Sequence, residues 1–137
     1  MQMTFINPEA LGAPRGYSNG VLVEGGRLLF VAGQIAWDTE QRIVSREFSE
    51  QFAQALGNVV AVVRAAGGAA TDIAQLRIYV TDKRAYQSSL KQVGAAYREL
   101  MGRHYPAMVL VEVAALVEDL AQVEIEAIAC LPAVESK

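Results

Sequence analysis

The strongest local constraint in this chain is Gly25-Gly26, set between the β-forming runs Val21-Leu22-Val23-Glu24 and Arg27-Leu28-Leu29-Phe30-Val31. Two adjacent glycines accept positive φ at both central positions of a tight reversal, and the flanking residues favour strands. The pattern predicts a hairpin with strands over about 17–24 and 27–35.

From Phe48 to Ala66 the apolar residues Phe48, Phe52, Ala55, Leu56, Val59, Val62, Val63 and Ala66 recur at three- and four-residue steps until Gly67-Gly68, which predicts an amphipathic helix. Leu76, Ile78 and Val80 then alternate with Gln75, Arg77 and Tyr79 as a short strand, and Thr81-Asp82 offers an N-cap. Tyr86, Leu90, Val93, Tyr97, Leu100 and Met101 form a second helical stripe, closed by Gly102 and Pro106. Ala107–Leu116 and Val123–Cys130 read as strands. The order β-β-α-β-α-β-β predicts an α+β fold with both helices packed on one face of a mixed sheet. One domain over 1–131 and a frayed tail at 132–137 are expected.

A sheet covered by helices on one face leaves the other bare, and composition bears on what covers it. The chain is 53% hydrophobic with glycine left out of the count, slightly above the usual ~45–50%, which points to a second copy as the cover. No uncharged stretch is longer than Gln51–Val63, whereas a spanning helix needs ~20 apolar residues, so no membrane is expected. Met1-Gln2-Met3-Thr4-Phe5 has no basic region leading into an apolar run, so a cytoplasmic location is expected. A net charge of −3 without a basic run argues against nucleic acid as a partner. The single cysteine, Cys130, and the single histidine, His104, exclude an internal disulfide and a Cys/His metal cluster.

Strand alternation puts Glu124 and Glu126 on one face, roughly 6.6–7 Å apart at ~3.3 Å per residue, where a carboxylate can act as a general acid or base on water. If their strand pairs with the preceding one, Glu112 would join the same acidic surface. His104, after Arg103 at the end of the second helix, is expected to face solvent or the negative end of the helix dipole. Cys130 is expected to be a small buried thiol. No nucleophile elbow, phosphate loop or dinucleotide fingerprint is present.

Several pieces occur together in order: Gly16-Tyr17-Ser18, Val31-Ala32-Gly33-Gln34-Ile35, Asn58, Tyr105-Pro106-Ala107 and the closing run Val123–Ala129. In these the chain resembles the Rid family, also called YjgF/UK114, over about residues 5–131. The resemblance implies a chorismate-mutase-like fold assembled as a homotrimer, with the sheets forming a central barrel and the helices outside. It implies a small-molecule substrate, a reactive enamine or imine such as 2-aminoacrylate, hydrolysed without metal or cofactor in clefts between subunits. In such a site an arginine of a Pro-Ala-Arg motif holds the substrate carboxylate and a glutamate of the last strand activates water. Carried over, the glutamate is Glu124, the first-strand tyrosine is Tyr17, the backbone after the arginine is that of Val109 and Leu110, and the arginine position is Met108.

Methionine cannot make the two parallel hydrogen bonds of a guanidinium. With Ala32 in place of the family's serine and Trp37 nearby, Met108 implies a more apolar cleft and a different ligand. Arg15 and Arg103 are the cations considered as replacements. Two functions follow: an imine or enamine hydrolase of altered preference, or a trimer that binds a small metabolite without turnover. Ribonuclease activity, a label some relatives carry, is disfavoured by the charge.

Overall fold

A computed structural model describes residues 1–134. Strands β1 (Gln2–Ile6), β2 (Gly20–Glu24) and β3 (Arg27–Gln34) precede helix α1 (Phe48–Ala65) and strand β4 (Ile73–Val80). Helices α2 (Lys83–Gln87) and α3 (Leu90–Met101) and strands β5 (Ala107–Glu112) and β6 (Val123–Leu131) follow. Four strands form a mixed sheet in the order β3-β6-β4-β5, in which only β4 and β5 run parallel. A parallel pair needs a crossover, and α2 with α3 supplies it.

The two-residue period of β6 divides the sheet. Val123, Ile125, Ala127, Ala129 and Leu131 are buried with Leu76, Ile78 and Val80 of β4 against Leu56, Val59 and Val63 of α1 and Val93 and Tyr97 of α3. Both long helices therefore cover one face, as expected. On the other face the register sets Phe30 opposite Ile128, Arg77 opposite Glu126 and Tyr79 opposite Glu124. That face is open: Leu28 is 65% exposed and Phe30 70%.

The loops next to this sheet are held by amide side chains of α1. Gln51, fully buried, donates to the carbonyls of Ser45 and Leu120 and accepts from the N–H of Gln122, all at 2.8–2.9 Å. Asn58 donates to the carbonyls of Ile35 and Trp37, each at 3.1 Å. A buried amide with its bonds made fixes loop paths that apolar packing alone would leave free.

The expected hairpin is corrected. Gly25 and Gly26 have φ of 73° and 88°, as the reversal requires, but β2 pairs antiparallel with β1, and β3 pairs with β6. The strand β1 itself carries too short an apolar pattern to announce itself. The β1–β2 ribbon is tied down at both ends: Ser18 bridges Ala107 at the start of β5, and the Cys130 thiol of β6 donates to the Gly25 carbonyl at 3.3 Å. A Cβ on Gly26 would stand 2.6 Å from the Leu131 carbonyl oxygen, so the second glycine serves a close approach to β6 as well as a turn.

Three further expectations change. The second helical stripe is split into α2 and α3, because Ser88 and Ser89 turn their hydroxyls onto the Ala85 carbonyl. β5 ends at Glu112, opposite Val80, the last residue of its partner β4, so the alternation to Leu116 has no strand to pair with. His104 is buried: its Nε2 donates to the Ile73 carbonyl at 2.6 Å and its ring meets Phe5 edge-on. It pins the loop after α3 to β4 and does not face solvent. Cys130 is a buried thiol, as expected. Pro132 to Val134 are exposed and belong to no element, and 135–137, the end of the expected tail, lie outside the described residues.

Candidate functional site

Two recesses lie on opposite faces of the sheet, and the residues singled out in the sequence divide between them. The first is on the open face, with a volume of about 250 Å³, and is lined by Gly33, Tyr79, Glu124 and Glu126 with Val113, Ala115 and Leu116 of the segment after β5. The alternation of β6 brings Glu124 and Glu126 together here, as expected. Their surroundings differ. Tyr79 donates its hydroxyl to Glu126 Oε1 at 2.5 Å, and Arg77 Nη1 lies 3.8 Å from the same oxygen. The bond to Glu126, followed by burial, holds the Tyr79 phenol above its ordinary pKa and keeps it a donor. Glu124 makes no ion pair and accepts no hydrogen bond among the described residues.

Glu124 rests on β3, where the register with β6 slips between Val31 and Gln34. The bulge places Gly33 beneath the carboxylate: a Cβ there would stand 2.8 Å from Glu124 Oε2 and 2.9 Å from Cδ. Only a residue without a side chain leaves the carboxylate where it is. The recess thus holds a committed carboxylate, Glu126, beside an uncommitted one, Glu124.

The second recess is on the helix-covered side, between β5 and the α2–α3 pair, with a volume of about 290 Å³. Met108 and Leu110 form its floor, since they pair in register with Leu76 and Ile78 and point to the same side. Tyr97 and Tyr105, stacked with centroids 5.5 Å apart, form one wall. Tyr97 donates to the His104 carbonyl at 2.6 Å, and burial pushes its phenol well above the ordinary tyrosine pKa. Tyr17 is half-buried and does not itself line the recess; its neighbours are Gly16, which does, and Ser18, whose hydroxyl donates to the Tyr105 carbonyl at 2.5 Å.

Within one chain, then, Met108 and Leu110 are grouped, Tyr17 is adjacent only in sequence to the recess residue Gly16, and Glu124 is on the far side of the sheet. The side chain of Val109 points to the open face and is 42% exposed, so only its backbone is shared with Met108 and Leu110. Glu112 does not join the acidic recess, because β5 pairs with β4 and not β6; it accepts from the Lys83 N–H on the helix side. Trp37 lines neither recess and lies in a separate groove with Gln54 and Asn58. Arg15 and Arg103 are exposed and line neither recess. The cation that does line the helix-side recess is Arg98. Its signal was the four-residue step Leu90, Gly94, Arg98 along one helix face. Among the described residues no group of three or more His, Cys, Asp or Glu is arranged to hold a metal, and no helix is long and apolar enough to cross a membrane.

Comparison with known proteins places these features in context. The sequence model of the family described as endoribonuclease L-PSP matches residues 7–131. The 2-iminobutanoate/2-iminopropanoate deaminase of Salmonella typhimurium is 35% identical over 132 residues, covering 94% of this chain and 98% of that protein. Among solved structures, a Rid-family protein of unknown function from Yersinia pestis superposes with a TM-score of 0.85 at 32% identity, over 96% of this chain and all of that one. TdcF of E. coli with bound serine gives a TM-score of 0.65 at 32% identity, over 87% and 91% of the two chains.

Proposed function

The chain belongs to the endoribonuclease L-PSP family, also known as Rid or YjgF/UK114, and on that premise we propose that it hydrolyses a reactive imine or enamine to a carbonyl compound and ammonia, in clefts each built from two copies. The observation that carries this reading is the division of the site. Glu124 stands uncommitted over Gly33 on one face, and Met108, Leu110 and Tyr105 gather on the other. A second copy joins them when its helix-side recess meets the acidic face of the first.

The open face favours such an assembly. Leu28 and Phe30 along one edge of it and Val109 and Val111 along the other are all at least 40% exposed, apolar side chains that a second copy would take out of water. A homotrimer with the sheets turned inward covers all of it, and a heterologous contact repeated three times closes into a ring.

The chemistry asks little of the protein. As a water oxygen bonds to the imine carbon, Glu124 takes a water proton and passes it to the nitrogen, giving the neutral carbinolamine. The carboxylate then takes the carbinolamine's hydroxyl proton and hands it to the nitrogen as the C–N bond breaks, so ammonia leaves and Glu124 is ionised again. No electrons are exchanged and no metal is called for. The Tyr79–Glu126–Arg77 cluster keeps the neighbouring carboxylate occupied, which leaves Glu124 as the base. Purified protein added to imines released by an amino-acid oxidase, with and without a carboxylate, speeds their loss, as followed by trapping with semicarbazide. If no imine of either kind disappears faster than without protein, the chain only binds its ligand.

A further inference from the structure

We infer that the recess between β5 and α3 takes a ligand with an apolar, ring-sized body and a terminal carboxylate, and that Arg98 of α3 is the residue that holds this carboxylate. The inference rests on the imine-hydrolase reading only in identifying that ligand with the substrate; the binding itself stands on the recess.

The walls are apolar and aromatic: Tyr86, Leu90 and Val93 face Met108 and Leu110 across a space of about 290 Å³, near the lower limit of small-molecule pockets and enough for one ring with a short chain. Arg98 is the only charged residue in the lining; no aspartate or glutamate accompanies it. Its charge is not spent elsewhere. It takes part in no ion pair among the described residues, unlike Arg42 and Arg77, and the positions three and four away on its helix are Gly94, Ala95, Met101 and Gly102, which offer no carboxylate.

Gly94 explains where the guanidinium goes. A Cβ at this position would lie 3.3 Å from Arg98 Nη1, so the side chain folds back one turn across the glycine and over the recess. A glycine inside a helix costs about 1 kcal/mol against alanine, so one is expected where close approach requires it. The strand side of the recess has methionine, leucine and tyrosine but no cation. An anion therefore finds its partner on the helix, where the planar fork accepts both carboxylate oxygens.

The test is direct binding of inert probes, which needs no turnover. By calorimetry, 4-phenylbutanoate binds the native protein at least tenfold more tightly than 4-phenylbutan-1-ol, and more tightly than propanoate, which lacks the ring. Arg98→Gln removes the advantage of the acid over the alcohol and leaves the alcohol's affinity within about twofold, a split that a collapsed recess would not give. Arg98→Lys restores part of the gap, since an ammonium keeps the charge but not the fork. Equal affinities for acid and alcohol in the native protein, or an undiminished gap in Arg98→Gln, would overturn the inference. A protein that hydrolyses no imine yet shows the Arg98-dependent gap refutes the proposed reaction and keeps this site. One that hydrolyses imino acids but shows no Arg98-dependent gap between acid and alcohol refutes this site and keeps the reaction.

Discussion

Glu124→Gln lowers the rate of imine hydrolysis by about a hundredfold or more, with unchanged thermal unfolding and unchanged binding of an inert carboxylate. The substitution keeps size and shape and removes only the capacity to take a proton. Because Glu124 makes no ion pair and accepts no hydrogen bond among the described residues, nothing structural is lost with its charge. Glu126→Gln is the matched control. That carboxylate is held by Tyr79 and Arg77, and its loss loosens a surface network while costing much less in rate. Steady-state kinetics on both variants, with melting curves beside them, separates the two glutamates. Equal losses would mean that proton transfer is not the property that sets Glu124 apart.

Gly33→Ala lowers the rate at least tenfold while its melting temperature stays within a few degrees of the native value. The added methyl would lie 2.8 Å from Glu124 Oε2, and the group that yields is the far end of a flexible side chain and not backbone. Moving the carboxylate costs little stability but misplaces the base, and a displacement of about 1 Å is enough to cost up to a hundredfold in rate. The effect falls on kcat, because the helix-side recess is untouched. Gly26→Ala gives the opposite signature: its φ of 88° and its approach to the Leu131 carbonyl make it a stability change remote from the acidic recess.

Much of this was legible in the sequence, for physical reasons that also explain the rest. The period of β6 announced Glu124 and Glu126 on one face and the apolar set on the other, since strand alternation is a local property. The stripe of α1 and its glycine stop were equally local. Partnership is not. Gly25-Gly26 specified a reversal, but β2 found a better partner in β1, a strand of five residues that only tertiary contact stabilises. Nor could alternation say that the face bearing Met108 and Leu110 is the one under the helices, because that depends on β5 lying beside β4 and not β6. Arg98 is not legible in the sequence for a related reason: Arg15 stands two residues before Tyr17 and Arg103 five before Met108, whereas the recess borrows its cation from the facing helix, which depends on how α3 packs over β5.

The central claim is that each cleft joins the recess of one copy to Glu124 of another, and subunit mixing tests it most directly. Gly94→Phe fills the helix-side recess and Glu124→Gln disables the base, so each variant alone keeps about a hundredth of the native rate or less. Refolded together in equal amounts, they regain about a quarter of the native rate, because that share of clefts pairs an intact recess from one chain with an intact glutamate from its neighbour. A mixture that assembles into joint oligomers and stays as inactive as its components would contradict the account, since it would place both halves of the site in one chain.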